Sequence, residues 1–246
     1  FKELYIPPVV VDYFTSNQKK LRDFGICNAE LEKTFGIKTF FNNTDQLNQF
    51  IELVAERNSI VAEPNRREYG DFQTNSALAL KSVDYIKTIS NVDSVEFVLE
   101  PTCGKGSFII AALTKLSGIK RIVGVEIYQP YVWETKFKIL EFFLEKPSTS
   151  RPSIEIIHAN VFDFNFEKLS KETKKLQTLV IGNPPWVTNS ELSSMDSKNL
   201  PEKSNFKKHS GYDAITGKGN FDIGEFISLL MLKHFSSHQG YFGFLV

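Results

Sequence analysis

The chain predicts an α/β fold wound on both sides of a mostly parallel sheet, with a helical extension at its N-terminus. Three observations predict it. From residue 94 onward, short apolar runs alternate with helical patterns, the order that yields a parallel sheet through right-handed crossovers. A Gly-x-Gly turn follows the first apolar run, where a strand must bend sharply into a helix. Residues 1–65, by contrast, carry apolar positions at helical spacing.

The elements follow in order. Helical periodicity covers 17–35 and 44–62, the second set by Leu47, Phe50, Ile51 and Val54. Thr44 or Asp45 is placed to cap that second helix, and Pro64 to stop it. No catalytic constellation falls in this part, which reads as a helical connector or packing layer. Strands are then predicted over 94–99, 121–125, 154–157, 178–181 and 241–246. Between them, helices are predicted over 108–116, 129–144 and 221–234, and a Pro/Ser loop over 146–152. Ligands of such Rossmann-like doubly wound sheets sit beyond the carboxyl ends of the strands. The turns opening at Glu100, Glu126, His158 and Gly182 are therefore the places to look. The polar stretch from Thr188 to Asn220 is too long for a plain connection and reads as a lid or substrate loop, whose Lys198, Lys203, Lys207 and Lys208 suit phosphate contacts and a solvated loop face equally well.

Composition excludes several classes. The 246 residues carry 29 basic and 29 acidic side chains, so no global field draws the chain to nucleic acid or an anionic membrane. Two cysteines, Cys27 and Cys103, cannot build a disulfide scaffold or a cysteine-rich zinc module. The best apolar stretch, Phe226 to Leu232, is far too short to span a bilayer, and no secretory signal opens the chain. A reducing, cytoplasmic setting with no membrane or metal partner is expected. Because the chain begins at Phe1 and ends on a strand pattern, it is expected to be a fragment of a longer protein.

Chemistry concentrates in three turns. Glu100-Pro101-Thr102-Cys103-Gly104-Lys105-Gly106-Ser107-Phe108 lets a ligand lie against the main chain and aims free helix N–H groups at it. It is no phosphate-binding P-loop, since Leu99 stands where that motif needs glycine, and Ile109 replaces the third glycine of the dinucleotide fingerprint. Glu126, twenty positions after Gly106, ends the second strand, where an acid can accept both hydroxyls of a ribose. The apolar run Leu179-Val180-Ile181 leads through Gly182 into Asn183-Pro184-Pro185-Trp186. Two prolines lock φ and remove two donors, so a stiff carbonyl, an amide oxygen and a flat aromatic are held together, a set suited to gripping a planar amine. His234 and His238, at an i, i+4 spacing that one helix could present, could hold zinc only with a further ligand that the neighbourhood lacks, and a packing or surface role fits them better. Cys103 has no neighbouring histidine to activate it and reads as a packing residue.

These motifs resemble those of the S-adenosylmethionine-dependent amino-methyltransferases. Asn183-Pro184-Pro185-Trp186 is similar to the family's D/N-P-P-Y/F/W element, Glu100 to Phe108 to its cofactor turn, and Glu126 to its ribose acid. Tyr69-Gly70-Asp71-Phe72-Gln73-Thr74-Asn75 resembles the segment that closes over the methionine end of the cofactor, and its upstream position is that of the γ class of N6-adenine DNA methyltransferases. The resemblance covers about 66–246 and implies a class I methyltransferase fold ending at its fifth strand, with 1–65 as a helical extension. It implies cofactor contacts at Phe72, Thr74, Glu100, Pro101, Thr102, Gly104, Gly106, Phe108, Glu126, Ile127, Asn160, Val161 and Asn183, and catalysis by Asn183, Pro184, Pro185 and Trp186. Two positions depart from the family: Asn160 stands where Asp is usual, and Asn75 where Pro follows the Thr74 position.

The resemblance implies methyl transfer to the N6 amine of a flipped adenine in DNA, within a restriction–modification system. Asn183 Oδ1 and the Pro184 carbonyl would accept the amine hydrogens while Trp186 stacks on the base. DNA would be the partner through a target-recognition domain absent from this chain, and the chain alone would bind DNA weakly. Other amines stay open: an RNA base, cytosine N4 or a protein glutamine. So does a catalytically silent nucleic-acid-binding module.

Overall fold

The computed structural model describes residues 4–56, 73–89, 94–185 and 223–245. Five strands form one sheet: β1 (Phe97–Glu100), β2 (Arg121–Glu126), β3 (Ser153–His158), β4 (Thr178–Gly182) and β5 (Gly240–Phe244). Their order is β3-β2-β1-β4-β5 and every pairing is parallel. The order reverses between β1 and β4, so the ligand crevice of a doubly wound fold opens at their carboxyl ends. The predicted Rossmann-like α/β class is the observed one.

Alternation along the strands builds two cores. Val98, Ile122, Leu179 and Ile181 face one cluster, and Phe97, Leu99, Val123 and Val180 the other. On the first face lie α4 (Ser76–Ile89), α5 (Ser107–Lys115) and α6 (Gln129–Glu145); on the second, α7 (Phe166–Thr173) and α8 (Ile223–Phe235). The predicted strands and the helices over 108–116 and 129–144 are found within a few residues. Of the predicted 221–234 helix, residues from Ile223 onward are described and helical.

The N-terminal part holds α1 (Pro8–Ser16), α2 (Phe24–Phe35) and α3 (Thr44–Glu56). The expected 17–35 helix is corrected: residues 17–22 turn, and Asp23 caps a shorter helix by accepting the Ile26 N–H at 2.9 Å. The cap of α3 is neither Thr44 nor Asp45 but Asn43, whose Oδ1 accepts the Gln46 N–H at 2.9 Å, while Gln46 Oε1 takes the Asn42 N–H at 2.8 Å. Residues 57–62 and Pro64 lie outside the described residues. Phe14 packs edge-on against Phe50 at 4.8 Å, and Phe50 stacks on Phe137 of α6, so these helices and the sheet share one hydrophobic cluster. At the β3 edge, Ile154 N–H donates to the Gly36 carbonyl and Lys38 N–H to the Ile154 carbonyl, extending the ladder by one bridge.

A buried lysine fastens this layer to α6. Lys136 is 2% exposed, and its ammonium donates to the Thr39 and Phe40 carbonyls at 2.8 and 2.9 Å beneath the Trp133 ring. Burial lowers its pKa from 10.5 to about 8. Between those values the unfolded chain keeps a proton that the folded chain has given up, so stability rises with pH there. We expect wild-type stability, relative to Lys136→Met, to climb by roughly 3 kcal/mol between pH 8 and pH 10.5 in denaturant titrations. A flat difference would show an ammonium held fully charged by its carbonyls.

Candidate active site

Glu100 ends β1, and the chain then bends through residues 101–106 into α5. Cys103 N–H donates to the Val125 carbonyl at 2.9 Å, pinning the bend to β2, and Gly106 N–H to the Cys103 carbonyl at 2.7 Å. Gly104 and Gly106 have φ of +49° and +73°, in the left-handed region. A Cβ on Gly104 would lie 2.6 Å from Gln73 Oε1, and one on Gly106 2.6 Å from Thr135 Cγ2. Gly106 is required by conformation and by space, and Gly104 by conformation, since the Gln73 side-chain end could swing aside. Thr135, fully buried on α6, also donates from Oγ1 to the Gly104 carbonyl at 2.9 Å. Glu126 braces the bend from β2: Oε2 accepts the Gly104 N–H at 2.8 Å, and Oε1 the Tyr128 N–H at 2.7 Å. A carboxylate oxygen can accept more than one hydrogen, so these bonds are compatible with ribose hydroxyls on the same group.

Beside this bend lies a cavity of about 50 Å³. Its walls come from three places distant in sequence: Gln73 and Thr74; Glu100, Thr102, Cys103, Gly104, Ser107 and Phe108; and Asn183. Gln73 Oε1 accepts the Lys105 N–H at 2.9 Å, and Ser107 Oγ donates to the Thr74 carbonyl at 2.7 Å. Asn183 Nδ2 donates to Thr74 Oγ1 at 3.3 Å, joining the end of β4 to the segment before α4. Two buried oxygens on this wall have no hydrogen-bond partner, Glu100 Oε2 and Thr102 Oγ1. Buried polar atoms are normally paired, so both oxygens have hydrogen-bonding capacity left for a polar partner. Burial, reinforced by the nearby Glu126, pushes the Glu100 carboxyl well above the usual carboxylate range, against the pull of the Ile109 N–H. The small polar cavity, the close backbone and the acid on β2 fit the amino-acid end and the ribose of S-adenosylmethionine.

Of the residues singled out in the sequence, Thr74, Glu100, Thr102, Gly104, Phe108 and Asn183 come together around the cavity, and Glu126 reaches it through Gly104. Pro101 is buried in the bend. Ile127 is 44% exposed at the end of β2, its carbonyl 2.9 Å from His158 Nε2. Asn160 follows β3 on the same edge, where its Oδ1 accepts the Phe162 N–H at 3.0 Å; Val161 is buried in the second core. Pro184 is buried and Pro185 exposed at the end of β4. Phe72, Trp186 and the 188–220 loop with its lysines lie outside the described residues.

Helix α8 ends at Phe235, so His238 is not on the helix of His234; it sits 3.1 Å from the Ser170 carbonyl. Among the described residues, no group of three or more His, Cys, Asp or Glu could hold a metal, and no helix is long and apolar enough to cross a membrane. Cys103 is buried and its thiol pKa is pushed up by burial, which suits packing. Sequence reasoning missed Gln73 and Thr135. Gln73 adjoins Thr74 in the segment before α4; Thr135 carries no local signal, because its contact spans 31 positions.

No family model matches the chain. Among solved structures, a protein from Listeria monocytogenes assigned to the class I S-adenosylmethionine-dependent methyltransferases is 14% identical, covering 82% of this chain and 52% of its own, with a TM-score of 0.44. The N-terminal domain of EvdMO1, solved with SAH bound, is 15% identical over 59% of this chain and 56% of its own, with a TM-score of 0.32. The fold conclusion rests on the strand order itself. In sequence, the chain is 38% identical over 183 residues to the Type II methyltransferase M.NspV of a Nostoc species, an alignment that takes in 74% of this chain and about a third, 36%, of that protein.

Proposed function

We propose that this chain is the cofactor-binding and catalytic part of a γ-class methyltransferase that uses S-adenosylmethionine to methylate the N6 amine of adenine in DNA, as the modifying partner in a restriction–modification system. One observation carries the reading: the Asn183 amide, at the end of β4, shares a cavity with the glycine bend after β1 and is bonded to Thr74. The similarity to a Type II methyltransferase supports it. When bound, the cofactor supplies a methyl group on a positively charged sulfur.

An exocyclic amine is a weak nucleophile because its lone pair is delocalised into the ring. Since Nδ2 of Asn183 donates to Thr74, the acceptor this side chain offers an amine is Oδ1. The Pro184 carbonyl, on a backbone stiffened by two prolines, is the second acceptor. Two fixed acceptors hold the amine hydrogens and return electron density to nitrogen, which is electrostatic preorganisation rather than proton abstraction. Trp186 would stack on the flipped base. Sequence-specific contacts to base edges are assigned to parts of the protein outside these 246 residues.

The test is transfer of labelled methyl groups from S-adenosylmethionine to DNA, RNA and glutamine-containing protein substrates, followed by nucleoside mass spectrometry. Label is expected in DNA as N6-methyladenine. Label in N4-methylcytosine, RNA or protein would overturn the substrate assignment and keep the chemistry. Cofactor binding with no transfer to any of them would favour the silent module.

A further inference from the structure

We propose that Glu100 gives up a proton to solvent when the α-ammonium of the cofactor's amino-acid end enters the cavity, so that binding is an exchange of one proton for one cofactor. The inference rests on the cofactor reading above, not on the choice of adenine as substrate. Its basis is the surroundings of the side chain. Glu100 is 2% exposed and lines the cavity, and its buried Oε2 has no hydrogen-bond partner.

The groups around it do not favour a negative charge. Glu126, on β2, is itself an acid that disfavours a second anion, and the Cys103 thiol is buried. From α5 comes the Ile109 N–H; from β4 and its end, Gly182 and Asn183; from the segment before α4, Gln73 and Thr74. None of those is a cation. Lys105, the basic residue of the bend, has its Nζ 3.0 Å from Glu134 Oε2. Among the described residues lining the cavity, Glu100 is the one that carries a carboxyl. Burial beside a second acid therefore favours the neutral form, and a carboxylate becomes favourable once a cation arrives. The carboxyl O–H breaks, the proton passes to buffer, and the resulting carboxylate forms a neutral pair with the incoming ammonium, the cofactor's own α-carboxylate standing outside that pair.

Titration calorimetry of S-adenosylmethionine into the protein, in buffers of different ionisation enthalpy at one pH near neutrality, counts the protons. One proton released per cofactor is expected for wild type and none for Glu100→Gln. Below the carboxyl's pKa, wild-type affinity should rise up to tenfold per pH unit, and that slope should vanish in the variant. S-adenosylhomocysteine, which keeps the ammonium and lacks the sulfonium charge, should release the same proton. A count of zero with binding intact, or an unchanged count in Glu100→Gln, would overturn the exchange. Failure to bind at all would instead overturn the cofactor reading, and the exchange with it. Should Glu100→Gln not fold, infrared difference spectra of wild type decide: loss of a carboxylic-acid carbonyl band on adding cofactor is expected, and no change overturns the proposal.

Discussion

Replacing Asn183 with alanine should cut methyl transfer by about 10²–10³-fold, the cost usual for one preorganised polar group at a reacting centre. Cofactor affinity should fall by less than about tenfold, because the neutral hydrogen bond that joins Asn183 to Thr74 is worth about 0.5–1.5 kcal/mol. That bond is Asn183 Nδ2 to Thr74 Oγ1 at 3.3 Å. The split follows from position: the side chain stands where the end of β4 meets the segment before α4, with its amide nitrogen on Thr74 and its oxygen the acceptor proposed for the substrate amine. Single-turnover transfer measured beside calorimetric cofactor binding checks it. Equal loss of both would make Asn183 a wall of the cavity and no more.

The second large effect is expected at the glycine bend. In Gly106→Ala, a side chain must adopt a φ of +73° with its Cβ 2.6 Å from Thr135 Cγ2. Left-handed backbone costs a non-glycine residue about 1–2 kcal/mol, and overpacking a tight contact about 1–3 more. The bend can relieve this only by moving away from α6, which breaks the 2.9 Å bond from Thr135 Oγ1 to the Gly104 carbonyl. Thermal melting should drop, and cofactor affinity should weaken by at least about tenfold as the bend shifts. Thr135→Ser removes Cγ2 and keeps Oγ1, so the double variant should recover part of both losses, a coupling in the range of about 0.5–3 kcal/mol for touching residues. Strict additivity would show that the contact is not what makes Gly106 necessary.

Why some elements were legible in the sequence and others were not has a physical answer. The strands declared themselves as short apolar runs because both faces of a parallel sheet are covered, here by α4–α6 and α7–α8. Helix α1 was hidden: Val9-Val10-Val11 is a β-branched run, yet packing around Phe14 and Pro8 in the first turn make it helical. Helix α4 was hidden for the opposite reason. It leaves Leu78, Tyr85 and Ile89 exposed, so its apolar residues do not trace one face. Short α7 buries only Phe166, Leu169 and Thr173 and is started by Asn165 capping Lys168.

The candidate site divides along the same line. Gly104, Gly106, Glu126 and Asn183 were readable because each sits at a strand end, where chemistry of that type has a structural reason to be. What the residues do to one another was not readable. The bracing of Gly104 by Thr135, the bond of Gln73 to Lys105 and the isolation of Glu100 Oε2 join residues some thirty positions apart or on separate elements. No local pattern encodes them.

A crystal structure of the protein with S-adenosylhomocysteine tests the cofactor site most directly. The amino-acid end should lie between Thr74 and the glycine bend within hydrogen-bonding reach of Glu100, with the ribose hydroxyls on Glu126 and the thioether opening toward Asn183. A nucleoside bound elsewhere, or a thioether turned away from Asn183 and the two prolines, would contradict it.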